Sequence, residues 1–185
     1  MNFIKSNFIF FGMVALFLTC KSTQSKTVDE NAQVVKNYAE NMPSYFVNSL
    51  GDTIKTVIKS VEKWQAELSP AQYYVLREKG TERSFTSDLL NEKREGIFAC
   101  AACGLPLFRS EEKFESGTGW PSFWKTADDR HIIKDTDHLL DYPRTELMCA
   151  KCGGHLGHVF DDGPQPTGLR YCINGVSLSF VKSNN

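Results

Sequence analysis

Two short cysteine loops constrain this chain more than any other feature. Cys100-Ala-Ala-Cys103 is followed by Gly104, and Cys149-Ala-Lys-Cys152 by Gly153 and Gly154. Each loop offers two thiolates from one side, and the glycine after it lets the backbone turn beneath an ion. Two such knuckles supply the four sulfurs of a tetrahedral site, so Cys100, Cys103, Cys149 and Cys152 are the expected ligands of one structural Zn2+. The stretch between them, residues 104–148, is far longer than the roughly 15–20 residues of a zinc ribbon. A whole subdomain must therefore separate the knuckles. Two disulfides, or a redox-active CxxC pair, are the alternatives for these four residues. A duplicated pair with flanking glycines suits a metal better.

Two cysteines remain. Cys20 follows an apolar run, Phe8 to Leu18, that is broken only by Gly12 and preceded by Lys5. That run has the length of a signal h-region and is too short to span a bilayer comfortably. With the polar Lys21–Lys26 after it, the segment resembles a bacterial lipoprotein signal, although Phe17 and Thr19 stand where leucine and a small residue are usual. The resemblance implies removal of residues 1–19, lipidation of Cys20 and membrane attachment as an exported envelope lipoprotein, facing the periplasm or the cell surface. A plain secretory signal is the alternative. Either way the protein is expected to be exported.

Cys172 has no partner among the other cysteines. It lies in Leu169-Arg-Tyr-Cys-Ile-Asn-Gly-Val-Ser-Leu-Ser-Phe180, an apolar, β-branched and aromatic run that reads as one strand. Period-two alternation would put Arg170, Cys172 and Asn174 on one face. A cation and an amide beside a thiol can stabilise the thiolate and fix a bound polar group. The competing reading is a buried core cysteine. In an exported protein, however, a single free thiol is a liability unless it is used.

Around these sites the chain reads as α+β and predominantly β. Residues 1–19 form the signal, 20–57 the anchor cysteine and a tether with a weak helix over 27–41 and a short extended piece within 46–58, and 58–183 the main domain. Short helices are expected after Ser60 and over Ser69 to Gly80, where Ser69-Pro-Ala-Gln72 makes a capping box. After Gly96 come short antiparallel strands at 97–100, 105–108, 131–133, 146–149, 158–160 and 169–180. A net charge of −1 over 185 residues gives no electrostatic argument for nucleic acid or an anionic membrane surface. Gly117-Thr-Gly119 lacks the lysine and following helix of a phosphate loop.

Two further segments look built for a site. Gly117-Thr-Gly-Trp-Pro-Ser-Phe-Trp124 sets Trp120 in a stiff loop suited to an apolar wall, or equally to a core corner. Gly153-Gly-His155-Leu-Gly-His158 places two imidazoles after the second knuckle. Because four thiolates already close one metal site, these histidines serve better as proton donors or thiolate partners than as ligands.

These blocks resemble methionine sulfoxide reductase B. The shared motifs are the two Cys-x-x-Cys-Gly knuckles, Ser116-Gly-Thr-Gly-Trp-Pro-Ser-Phe123, Gly154-His-Leu-Gly-His-Val-Phe-Asp-Asp-Gly163 and Pro166-Thr-Gly-Leu-Arg-Tyr-Cys-Ile-Asn174. The likeness extends over about residues 60 to 181 and includes Leu68-Ser-Pro-Ala-Gln-Tyr-Tyr-Val-Leu-Arg-Glu-Lys-Gly80. It implies a tent-like domain of antiparallel sheets with a structural zinc, acting on the R epimer of methionine sulfoxide in proteins and peptides. By position, Cys172 would be the nucleophile and Trp120 the wall for the S-methyl group. His155 and His158 would hold or protonate the sulfoxide oxygen, Asn174 would help position it, and Arg170 would favour the thiolate. A monomer is expected, with oxidised proteins and a thioredoxin-like or other external thiol reductant as partners. Two positions depart from the pattern. Thr118 stands where many members carry a resolving cysteine, implying a one-cysteine member whose sulfenic acid an outside thiol clears. Gly175 stands where serine is common. A zinc-stabilised binding module without chemistry, and a general peroxidase or thiol-disulfide oxidoreductase, are the competing functions.

Overall fold

A computed structural model describes residues 41–138 and 142–184. The expected signal, Cys20 and all but the last residue of the helix expected over 27–41 lie outside them. Among the described residues no helix is long and apolar enough to cross a membrane.

The stretch read as tether contributes structure of its own. β1 (Tyr45–Val47) and β2 (Thr53–Lys55) form an antiparallel hairpin. Phe46, Ile54 and Val57 pack against the core. The backbone N–H and hydroxyl of Ser49 both donate to Asp128, at 2.8 and 2.7 Å.

α1 (Val61–Glu67) starts at Ser60 and buries only Trp64. The Trp64 ring lies between Lys59 Nζ, 4.6 Å from its centroid, and the Arg77 guanidinium, at 4.5 Å. α2 (Pro70–Glu78) begins with the expected capping box: Ser69 Oγ accepts from the Gln72 N–H, and Gln72 Oε1 from the Ser69 N–H. Its stop differs in detail from the sequence reading. Lys79, not Gly80, takes the left-handed conformation, with φ of 55°. Gly80 is needed because a Cβ there would lie 2.2 Å from the Tyr74 ring.

The rest is antiparallel sheet, which makes the fold α+β and predominantly β. β3 (Gly96–Cys100), β4 (Pro106–Arg109), β7 (Ile132–Asp137), β8 (Arg144–Cys149) and β9 (His155–Phe160) fall where strands were expected. Two-residue strands β5 (Lys113–Phe114) and β6 (Ser122–Phe123) are too short to leave a periodic signal. The run 169–180 is not one strand. β10 (Arg170–Ile173) ends at Asn174, a 3-10 turn covers Gly175–Ser177, and β11 (Leu178–Lys182) follows. Ser177 fixes the turn by donating both its N–H and its hydroxyl to the Asn174 carbonyl, at 3.0 and 2.7 Å. The two halves therefore enter different sheets. One has the order β5-β6-β10-β9-β8-β7, the other β11-β3-β4.

The core lies between these sheets. Phe108 stacks on Phe123 at 4.3 Å, and Phe98 meets Phe123 edge-on at 5.0 Å. All three rings are fully buried, each contributing about 1.5–3 kcal/mol of transfer free energy. Tyr171, the neighbour of Cys172, joins them 5.8 Å from Phe108. The strand carrying Cys172 is thus tied to the best-packed part of the molecule.

Candidate active site

The knuckles meet as expected. Cys100 ends β3, Cys149 ends β8, and Cys103 and Cys152 follow in matching turns: the Gly104 N–H donates to the Cys100 carbonyl and the Gly153 N–H to the Cys149 carbonyl, each at 2.8 Å. Both glycines have left-handed φ, 71° and 68°. The sulfurs of Cys100 and Cys152 lie 3.7 Å apart, those of Cys103 and Cys149 3.5 Å apart, and all four within 4.8 Å. Four sulfurs about 2.3 Å from one centre in tetrahedral array lie roughly 3.8 Å apart, so the donor set fits zinc. The thiols are unbridged. Burial pushes the Cys149 thiol well up, while hydrogen bonds from Cys100, Cys103 and Cys149 hold Cys152 well below the thiol range, with the Arg77 charge adding to them. Arg77, itself buried, donates two 3.0 Å hydrogen bonds to the Cys152 carbonyl. Lys151 Nζ donates to the Cys103 carbonyl at 3.2 Å.

Cys172 sits in the middle of the larger sheet, on β10, with Ser122 of β6 opposite on one side and His158 of β9 on the other. It opens onto a cavity of about 120 Å³ whose wall includes Trp120, Arg144, His158, Phe160 and Asn174. Gly157 lets β9 approach: a Cβ there would lie 2.1 Å from the Cys172 carbonyl. The Trp120 indole is fixed by its Nε1–H donating to the Glu82 carbonyl at 3.1 Å.

Burial raises the Cys172 thiol above its ordinary range, and Arg170 and Thr118 act against that rise. Arg170 grips Asp162 through Nε and Nη2 at 2.8 and 2.9 Å. Thr118 Oγ1 lies 3.9 Å from Cys172 Sγ. The residue standing where a resolving cysteine is common therefore touches the thiol.

Each histidine is held by a carboxylate that also holds a cation. His158 Nε2 lies 2.7 Å from Asp137 Oδ2, which Arg144 Nη2 approaches to 2.6 Å. His155 Nδ1 lies 2.7 Å from Glu146 Oε1, and Lys79 Nζ 2.6 Å from Glu146 Oε2. Burial lowers the His158 pKa and the Asp137 bond opposes that. The rings lie edge to face, 5.5 Å apart. Simple alternation would send residues 155 and 158 to opposite faces. A bulge between β8 and β9, where the register slips between Leu147 and Met148, puts them together. His158 borders the cavity. His155 lies behind it, buried, with Nε2 unpartnered among the described residues.

Asn174 borders the cavity too, but from beyond the end of β10 rather than from a shared strand face. Its Oδ1 accepts from the Glu82 N–H at 2.9 Å and its Nδ2 donates to the Leu156 carbonyl at 3.1 Å. Sequence reasoning missed Glu82, whose carboxylate accepts from the backbone N–H groups of Gly175 and Val176. It also missed Arg144, Asp137, Glu146 and Lys79. The one legible signal was Arg144-x-Glu146, two charges of opposite sign on one face of an apolar strand. The structure also explains Gly175. A Cβ there would lie 1.8 Å from Ser87 Oγ, so Ser87 occupies the space a side chain would need.

A partly exposed thiol on a central strand, bordered by an indole and a carboxylate-held imidazole, is an arrangement suited to redox chemistry, and the four-cysteine cluster could hold a metal ion. The SelR domain family matches residues 68–182. Among similar proteins, the peptide methionine sulfoxide reductase MsrB of Leptospira interrogans is 56% identical over 126 residues, covering 68% of this chain and 96% of its own. Those of Methanosarcina mazei and Bradyrhizobium diazoefficiens are 54% and 57% identical over 127 and 122 residues, covering 91% and 88% of their own lengths and 69% and 66% of this chain. The chain belongs to this MsrB family and is an oxidoreductase of it.

Proposed function

We propose that the protein reduces methionine (R)-sulfoxide in proteins and peptides, as a repair activity, with Cys172 as nucleophile. The observation that carries this reading is that Cys172, Trp120, His158 and Asn174 line one small cavity. The thiolate attacks the sulfoxide sulfur. The S–O bond breaks as the oxygen takes a proton and is transferred to Cys172, giving methionine and a sulfenic acid; the substrate sulfur is reduced and Cys172 oxidised. A sulfoxide oxygen leaves poorly until protonated, so an acid is needed across the sulfur from the thiolate. His158 fills that place, His155 backs it, and Asn174 narrows the oxygen side. The methyl group lies on the Trp120 face, which separates methyl from oxygen and selects one epimer. Arg170 favours the thiolate. Cys100, Cys103, Cys149 and Cys152 would hold one zinc ion, which supplies a structural cross-link when bound.

With Thr118 at the neighbouring loop position, the sulfenic acid is cleared by an external thiol. One equivalent releases water and forms a mixed disulfide, and a second restores Cys172. A thioredoxin-like protein is the expected donor. Residues 1–19 would direct export and Cys20 carry lipid, with 20–57 linking it to a monomeric domain over 58–183 on the bacterial envelope.

The test supplies separate R and S epimers of a peptide methionine sulfoxide to the full-length chain with excess dithiothreitol. Turnover should be confined to the R epimer, be abolished by Cys172→Ser and fall about 10²–10⁴-fold in His158→Ala. No turnover of either epimer by folded, zinc-loaded protein would leave a non-catalytic zinc module as the better account.

A further inference from the structure

We propose that Thr118, Ser116 and Ser122 form a three-hydroxyl switch whose hydrogen-bond direction follows the ionisation of Cys172 and so positions its sulfur. The proposal deepens the reading of Cys172 as the reacting residue. Thr118 Oγ1 lies 3.9 Å from Cys172 Sγ and 2.8 Å from Ser116 Oγ, which lies 2.8 Å from Ser122 Oγ. Ser122, fully buried and opposite Cys172 on β6, donates its hydroxyl to the Trp120 carbonyl at 3.1 Å.

A hydroxyl carries one proton, and that settles the direction. Ser122 spends its proton on Trp120, so Ser116 must donate to Ser122. Ser116 then has none left, so Thr118 must donate to Ser116. With the hydroxyls in this order Thr118 can only accept from Cys172; the donation to sulfur that opposes the effect of burial becomes available when the chain reverses. A thiolate needs a donor instead. For Thr118 to provide one, all three hydroxyls must rotate, and Ser122 gives up its bond to Trp120. The Thr118 N–H, 3.4 Å from Ser116 Oγ, keeps the chain aligned in either direction. The switch thus holds Cys172 protonated until the gain at sulfur exceeds the loss at Trp120.

Of the other charged and titratable groups around this thiol, Arg170 pairs with Asp162 and also acts directly on the Cys172 sulfur, His158 pairs with Asp137 and Arg144, and Glu82 holds the Gly175 and Val176 amides. Altering a hydroxyl leaves all of them in place. The switch therefore makes a prediction of sign. Removing the far end frees Thr118 to donate to sulfur, whereas removing Thr118 itself takes the donor away.

The test is the pH dependence of iodoacetamide alkylation of Cys172 in the full-length chain, read by mass spectrometry on the peptide carrying it. Thr118→Val should raise the midpoint by about one pH unit, and Thr118→Ser should return it to the wild-type value. Ser122→Ala should lower the midpoint by roughly half a unit. Ser116→Ala, which also frees the Thr118 proton, should move it the same way and stands in if Ser122→Ala does not fold. A rise or no change in both serine variants would overturn the proposal. Because alkylation needs no turnover, this result is independent of whether the R-sulfoxide is reduced.

Discussion

Gly175 shows what a single residue identity can and cannot reveal. Its departure from serine is visible in the sequence, but its cause lies far upstream, in Ser87, which is in position to collide with any side chain there. Gly175→Ser should therefore destabilise the protein by about 1–3 kcal/mol through overpacking. Ser87→Gly, a change that costs a helix cap only a few tenths of a kcal/mol, should recover most of that loss. Urea unfolding of the two single variants and the double variant checks it; simple additivity would show that Ser87 is not the obstacle. The same contrast holds across the site. The four knuckle cysteines were legible as one cluster because their identity and spacing set it. Glu82, which ties the residues after Cys172 through two backbone amides, left no local signal, because its partners lie in a distant turn.

At the level of elements, strand positions were legible and strand continuity was not. An apolar run of twelve residues reads the same whether it is straight or turns at Asn174, and only the sheets on either side decide. The β9 bulge is similarly silent, although it brings His155 and His158 to one side. That placement has a pH consequence. Burial holds the His158 pKa below its ordinary value of 6.5, so between the folded value and about 6.5 the unfolded chain binds more protons than the folded one. Stability should therefore rise with pH through that window and fall on acidification through it, with no further slope from His158 once the pH is below the folded value. His158→Gln should flatten this dependence, as followed by melting temperature between about pH 5 and 7.5. An equally steep slope in the variant would assign the acid sensitivity elsewhere.

For the whole molecule, the cysteine knuckles foretold the four-sulfur cluster but not what surrounds it. Arg77 from α2 and Lys151 cap knuckle carbonyls, and the hairpin read as tether packs on the body. No spacing rule announces such contacts, because they join residues remote in sequence. Cys103→Ser, which removes the one half-buried sulfur of the four, should abolish stoichiometric zinc in native mass spectrometry. With several kcal/mol of metal-linked stability gone, the melting temperature should fall by about 10 °C or more. A variant that keeps both its metal and its melting point would remove Cys103 from the site.

The division of residues 170–182 between two sheets also bears on synthesis. Both knuckles leave the ribosome before Cys172, so the four-cysteine cluster can assemble before that thiol is present. Until residues 178–182 emerge, β3 is flanked by β4 alone, and the turn after Cys172 lacks the strand that continues it into the second sheet. A nascent chain halted near Gly175 thus carries Cys172 without the frame that shapes its surroundings. Cys172 and the strand that completes the second sheet emerge within a few residues of each other.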